Sequence, residues 1–167
     1  MFQERPLYTA AHITNFILEQ ARHDEIFINN IKLQKLLYVS FGWCYVLGRK
    51  KKLFNDPIQA WRFGPVIPNI YHQYKKFQKG DLRQAPAALY FDFKEMTTKR
   101  APTYEMDEQT KSVLLAIWDY YKMKDTDSLI DLTHQKGTPW ASAYDRENRK
   151  EISKRRIKKY YQKKYLD

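Results

Sequence analysis

One stretch of the chain, residues 29–47, is denser in apolar side chains than any other. Apolar side chains recur there at steps of three and four residues, which is the period of one helix face: Leu33, Leu36, Leu37, Phe41, Cys44 and Leu47. From Tyr38 onward the remaining faces are apolar or aromatic as well, as is typical of a helix buried on all sides. We expect this segment to be the central helix of the core, against which the other elements pack.

The first turns of this helix carry polar side chains, among them Lys32 and Lys35. These lysines either meet acidic groups of a partner or bury their aliphatic stems beside the core with the ammonium groups at the surface. The sequence favours the second interpretation, in which the lysines only flank the core. Asn29 or Asn30 can cap the helix start, and we expect Gly48 to end it in a left-handed conformation.

Further helices are predicted by the same periodicity together with capping residues and prolines. They cover residues 10–23, 69–78, 108–123, 126–134 and 154–165, with a short helix beginning at Thr138 and Pro139. The first, third and last of these helices can be capped by Thr9, Asp107 and Ser153 at residues 10, 108 and 154. We expect the last helix to dock through Ile157, Tyr160, Tyr161 and Leu166.

The β structure is expected to be small. Residues 58–63 read as an extended segment entering a corner at Gly64 and Pro65, and residues 88–96 and 102–106 as the strands of a hairpin. The sequence therefore predicts a mainly α, compact single-domain helical fold over residues 1–167, built around a central buried helix with a small β element.

Composition narrows the class of protein. The chain of 167 residues has one cysteine, so no disulfide can form within it, which suits a reducing cytosol. No signal peptide and no apolar run of membrane-spanning length is evident, so we expect a cytoplasmic protein without membrane contact. Glycine is scarce and no Gly-rich phosphate loop is present, and we expect no cofactor and no metal.

Charge adds a candidate surface. The net charge is +11, and residues 146–164 are especially rich in Lys and Arg. Such a segment either meets an anionic partner, which is a nucleic acid or an acidic protein, or forms the solvated face of a terminal helix. Arg155, Lys158 and Lys159 are the candidates for partner contact on it.

His134 is the strongest candidate for chemistry. It follows Asp131 by three residues, so a helix would place a carboxylate beside a general base. No convincing nucleophile accompanies it, because Cys44 lies in the core helix. We therefore expect His134 to hydrogen-bond a backbone group at the turn before Thr138, and we expect no catalysis.

Arg62 is a second candidate, because it stands between Trp61 and Phe63. Its guanidinium can bind an anion or a carboxylate while stacking on one of these rings. Alternatively it ties the corner together by donating to backbone carbonyls, and this structural role is favoured.

Three motifs in order are more specific than any of these features alone. They are IKLQKLLY at residues 31–38, AWRFGPVIP at residues 60–68 leading to Tyr71, and LTHQ at residues 132–135 before Thr138, Pro139 and Trp140. Over residues 8–165 the chain resembles the Panacea domain, also called the SocA-like antitoxin or phage-associated GepA-type domain.

The resemblance implies a type II antitoxin that neutralises a protein toxin by direct binding. One branch of the family acts as an adaptor that delivers its toxin to a protease. Some members carry an additional helix-turn-helix region for DNA binding, and we expect this chain to lack one. The family offers no active-site chemistry to carry over, and most of its motif residues look structural.

Our interpretation is toxin neutralisation by protein–protein contact. The alternative is a basic nucleic-acid-binding protein that uses the C-terminal helix, and an enzyme centred on His134 is a third hypothesis. Binding to nucleic acid would weaken steeply with salt, because each neutralised phosphate releases counterions. The candidate partner-binding residues are Lys32, Lys35, Arg62, His134, Arg155, Lys158 and Lys159.

Overall fold

The computed structural model describes residues 8–48, 50–103 and 105–167. Helices dominate this part of the chain, which confirms the predicted mainly α class. The α-helices are α1 (Ala10–His23), α2 (Asn30–Leu47), α3 (Pro68–Tyr74), α4 (Glu108–Tyr121), α5 (Thr126–His134), α6 (Pro139–Ala143) and α7 (Lys154–Leu166). No helix in the described ranges is long and apolar enough to cross a membrane.

Helix α2 is the centre of the fold, as predicted. It contacts α1, α3, α4, α5 and α7, and Leu33, Leu37 and Phe41 on its buried stripe are inaccessible to solvent. The side chain of Asn29 caps its start by accepting a hydrogen bond from the backbone N–H of Lys32. Gly48 ends the helix as predicted, with its N–H donating to the carbonyl of Cys44, but the predicted left-handed conformation is wrong, because its φ is −96°.

The first of two hairpins joins β1 (Gln59–Trp61) to β2 (Gly64–Val66). The predicted corner at Gly64 and Pro65 is wrong, because the chain reverses at Arg62 and Phe63 and Gly64 already begins the second strand. Residues 150–152 lie along the other edge of β1, where the N–H of Ala60 donates to the carbonyl of Lys150 at 2.8 Å. Strand β1 is therefore hydrogen-bonded on both sides.

The second hairpin joins β3 (Leu89–Asp92) to β4 (Thr97–Arg100). The predicted second strand at residues 102–106 is wrong, and that range includes Tyr104, which lies outside the described residues. The chain turns earlier because the carboxylate of Asp92 accepts hydrogen bonds from the backbone N–H groups of Lys94 and Glu95.

The last helix docks through fewer side chains than expected. Ile157 and Tyr161 are buried and Tyr160 is half-buried, but Leu166 is exposed, so its predicted docking is wrong. Tyr161 packs its ring against Gly42 of α2, where any Cβ would collide with it. Helix α3 is also shorter than predicted, because Lys75–Phe77 continue it as a 3₁₀-helix.

An aromatic and cationic cleft as the candidate functional site

The three sequence motifs meet at one cleft of about 970 Å³. Its walls come from the start of α2, the first hairpin, α3, α5, α6 and the loop before α7. Its aromatic lining is Trp61, Phe63, Tyr71, Trp140 and Tyr144, and its basic lining is Lys35, Arg62, His134, Arg146 and Arg149. We call this site the cleft.

Buried polar side chains of α2 fasten the first hairpin to the core. The amide oxygen of Gln34 accepts the backbone N–H of Ile67 at 2.8 Å, and its amide nitrogen donates to Asn30 at 3.0 Å. The amide of Asn30 in turn donates to the carbonyl of Tyr71 at 3.0 Å. These bonds satisfy backbone groups that would otherwise be buried without partners, so the polar first turns of α2 form a seam with the hairpin.

Lys35 belongs to this seam. Its side chain is 1% exposed, and its ammonium donates to the carbonyl of Pro65 at 2.8 Å. The expected position beside the core with the ammonium at the surface is therefore wrong for Lys35. Burial lowers the pKa of this ammonium to about 7.

Lys32 points away from the cleft and is also buried. Its ammonium donates at 2.7 Å to the carbonyl of Lys122, the residue that caps the C-terminus of α4. A cation is favourable at that end of a helix, because unpaired carbonyls concentrate there. The structure thus ties Lys32 to the end of α4 through a half-buried hydrogen bond.

Gly64 allows the first hairpin to approach α2 and α5 closely at the cleft. Its φ of +101° lies in the left-handed region, and a Cβ there would stand 2.7 Å from both Cε of Lys35 and Oγ1 of Thr133. Only glycine fits this conformation and this space without strain. The hairpin, α2 and α5 therefore approach one another at a point where no side chain fits.

A column of three stacked rings forms one wall. The ring centroids of His134 and Trp140 are 3.8 Å apart, and those of Trp140 and Tyr144 are 4.6 Å apart. The indole N–H of Trp140 donates to the carbonyl of Trp61 at 2.8 Å, which joins the column to the hairpin. The column is consequently held at its middle ring.

The structure gives His134 a different role from the predicted one. Its Nε2 is buried and has no hydrogen-bond partner among the described residues, so the expected bond to the turn before Thr138 is wrong. Burial, and then the charge of Lys35, lower the pKa of His134, while the charge of Asp131 opposes them. The imidazole is thus held neutral at neutral pH.

Arginines lie over aromatic rings at the mouth of the cleft. The guanidinium carbon of Arg149 is 4.0 Å from the ring centroid of Trp61, and that of Arg62 is 5.4 Å from the centroid of Phe63. Within the described ranges Arg62 makes no hydrogen bond to a carbonyl, so the favoured structural tie is wrong and its stacking on Phe63 is the interaction observed.

The candidates on α7 lie elsewhere. Arg155 and Lys159 are exposed, and Lys158 places its ammonium 4.2 Å from the ring centroid of Tyr45. The structure therefore brings Lys35, Arg62 and His134 together and leaves Lys32 and the α7 cations outside the cleft lining. Sequence reasoning counted Arg149 only as part of the basic tail. Its contact with Trp61 carries no local sequence signal.

Within the described ranges there is no group of three or more His, Cys, Asp or Glu side chains that could hold a metal ion. The thiol of Cys44 is buried, and burial raises its pKa, which keeps it protonated and unreactive.

Comparisons with known proteins agree on one family. The family model "Antitoxin SocA-like, Panacea domain" matches residues 33–141. Antitoxin SocA of Caulobacter vibrioides is 39% identical over 62 residues, which cover 37% of this chain and 32% of that protein. The match thus spans about a third of the length of this curated relative. No solved structure matches the chain.

Proposed function

The chain belongs to the SocA-like antitoxin family with its Panacea domain, and from this membership we propose that it neutralises a protein toxin by binding it directly. Family membership is the observation that carries the proposal. The cleft supports it, because aromatic side chains and arginine are the residue types that dominate the energetics of protein interfaces.

Contact with the toxin involves the cleft and the outer face of α7, by which we mean Arg155, Lys158 and Lys159. The cleft supplies concave aromatic surface, and α7 supplies cations that attract an acidic partner. Binding then acts either by masking the toxin or by delivering it to a protease as an adaptor. The half-life of the toxin in cells with and without this protein separates these two routes.

The test uses the reading frame adjacent to the gene. Expressed alone, that protein should arrest growth, and co-expression of this chain should restore growth and yield a complex that copurifies. Catalytic removal of the toxin's effect without a complex would contradict neutralisation by binding. Growth arrest that persists although both proteins are folded and present would contradict the proposal altogether.

His134→Asn tests whether the action is non-catalytic. The buried Nε2 and the stacking on Trp140 suggest support of the cleft wall, so the variant should lower stability or toxin affinity. Thermal melts and calorimetric titration with the toxin measure the two effects. A catalytic rate of the purified protein that disappears in a folded His134→Asn variant would favour an enzyme instead.

The second candidate function is nucleic-acid binding by the outer face of α7, which the exposed cations there favour. It predicts an affinity for DNA or RNA that falls steeply between low and physiological salt. A toxin complex with an apolar centre should depend on salt much less.

A further inference from the structure

We infer that the cleft receives an extended acidic segment of the partner protein, whose carboxylates are bound by Arg62, Arg146 and Arg149. This inference rests on the proposed function, since it names the part of the toxin that the cleft would take.

The charge balance of the cleft favours an anion. Arg62, Arg146 and Arg149 line it and form no ion pair with any residue in the described ranges. Asp145 is the acidic residue of the lining, and its carboxylate is already bound to the ammonium of Lys150 at 3.0 Å. It also accepts the backbone N–H of Glu147. The charges of the three arginines are therefore not neutralised by other residues of the cleft lining.

The arginines are placed in a way that suits carboxylates. The guanidinium carbon of Arg149 lies over the ring of Trp61, and that of Arg62 lies over the ring of Phe63. A guanidinium stacked in this manner keeps its N–H edge for the fork-like pairing with two carboxylate oxygens. Stacking also fixes part of the side chain beforehand, which reduces the entropy lost when a ligand binds.

The shape and backbone of the cleft indicate an extended segment that is read through its side chains. A concave site of this size admits a loop or a terminus, whereas a flat surface touches only its mouth. Strand β1 is hydrogen-bonded on both edges, and Lys35 and Gln34 occupy the outer edge of β2. A partner strand therefore cannot extend this sheet, and carboxylates and apolar side chains must carry recognition.

The cleft also has an apolar lining, which favours apolar side chains between the carboxylates of the bound segment. Ile31, Ala60 and Val66 contribute aliphatic lining beside the aromatic rings. Acidic and apolar residues in alternation match this lining. Phosphates of a nucleic acid would also meet the arginines, so nucleic acid is the competing ligand in the test.

The experiment measures fluorescence anisotropy of a labelled peptide in which Glu alternates with Leu, titrated with the full chain. The matched probes are the same peptide with Gln for Glu and a labelled oligothymidylate of equal length. The test variant is Arg62→Glu with Arg149→Glu. The control variant is Lys79→Glu with Lys94→Glu, which makes the same charge change at exposed sites outside the cleft lining.

The acidic peptide should bind wild type and control alike, and the test variant should bind it about tenfold more weakly or worse. The Gln peptide should bind wild type about tenfold more weakly too. Should the glutamate substitutions unfold the protein in thermal melts, Arg62→Gln with Arg149→Gln replaces them.

Three results would overturn the inference: no saturable binding of the acidic peptide, equal binding of both peptides, or tighter binding of oligothymidylate. Growth rescue by co-expression with binding of no acidic peptide would reject this inference and leave the proposed function intact. Peptide binding at the cleft without rescue would reject the proposed function alone.

Discussion

The cleft and the outer face of α7 are both cationic, yet their charges are held in different ways. In the cleft the ammonium of Lys35 is bonded to a buried carbonyl, and Arg149 lies on a tryptophan ring. Of the three α7 cations, Lys158 lies over the ring of Tyr45, and Arg155 and Lys159 stand in solvent. Charges positioned by hydrogen bonds or by stacking select a ligand and slow its release, whereas charges without such contacts mainly speed its approach and are screened by salt.

Both regions depend on α2, but on opposite ends of it. The polar first turns hold the hairpin through Gln34 and Lys35. The later turns hold α7, where Tyr161 lies 5.0 Å from the ring of Trp43 and packs on Gly42. One helix thus builds two surfaces, and substitutions along it should damage them together or one at a time.

The largest effect is expected where both surfaces fail together. Phe41→Ala should lower the free energy of unfolding by about 3–5 kcal/mol, because Phe41 is inaccessible to solvent and packs on the ring of Phe54. Leu37→Ala on the same stripe should cost about 2–5 kcal/mol. Urea unfolding measures both, and unchanged midpoints would show that α2 is not the core helix.

Two glycine substitutions should separate the regions. Gly64→Ala should cost about 2–5 kcal/mol, because it combines a strained φ with a collision against Lys35 and Thr133. Gly42→Ala lies in a helix, where alanine gains about 1 kcal/mol that offsets part of the collision with Tyr161. The ring of Tyr161 is buried and can yield only if α7 shifts, so the net cost should be of the same order as that of Gly64→Ala.

The readouts of the glycine pair differ as well. Gly64→Ala should weaken binding of the acidic peptide at the cleft and leave α7 protected from protease. Gly42→Ala should expose α7 to protease and leave peptide binding near the wild-type value. If both variants lose peptide binding equally, the two regions are coupled, and the contrast drawn between them is wrong.

A pH effect should sharpen the contrast further, since Lys35 is a buried lysine of the cleft. Its folded pKa of about 7 lies below the ordinary value of 10.5, so between these values the unfolded chain binds more protons. Stability should therefore rise with pH, by about 2–3 kcal/mol from pH 7 to pH 9.5. Cys44 and buried tyrosines such as Tyr161, whose pKa values burial raises, oppose this rise, the thiol from about pH 9 and the tyrosines from about pH 10.

Lys35→Met is the matched variant for this effect. Urea unfolding across the same pH range should give a much flatter profile than wild type, because methionine carries no proton to exchange. Other lysines with lowered pKa values, such as Lys32 and Lys154, are retained in both proteins and cancel in the comparison. Parallel profiles would show that the Lys35 ammonium is solvated.

The sequence predicted the helices well because their signals are local. Periodic apolar positions and capping residues such as Thr9, Asp107 and Ser153 place the starts of α1, α4 and α7 where the structure has them. The strands of the first hairpin are three residues long, too short for any periodicity. Strand β4 reads TTKR, which is polar throughout and mostly exposed.

The site was predictable only in part. The sequence selected Lys35, Arg62 and His134, which lie at one cleft, and the family prediction is confirmed by the match over residues 33–141. The burial of Lys35 could not be foreseen, because its acceptor is a backbone carbonyl at Pro65 in another motif. Arg149 and Trp61 likewise meet only through the pairing of β1 with residues 150–152.

The smallest effect on the fold, and a specific effect on kinetics, is expected from the outer face of α7. Replacing Arg155, Lys158 and Lys159 by Glu should change stability by about 1 kcal/mol or less, chiefly through loss of the Lys158 contact with Tyr45. Association with the toxin should slow at low salt, while dissociation changes less, because solvated charges act on the encounter. Stopped-flow mixing at two salt concentrations measures both rates. The variant Arg62→Glu with Arg149→Glu should show the opposite pattern, with faster dissociation.

Equal association rates at low salt would remove α7 from the interface. Binding of random-sequence DNA at physiological salt, lost in the α7 variant, would instead assign this face to nucleic acid.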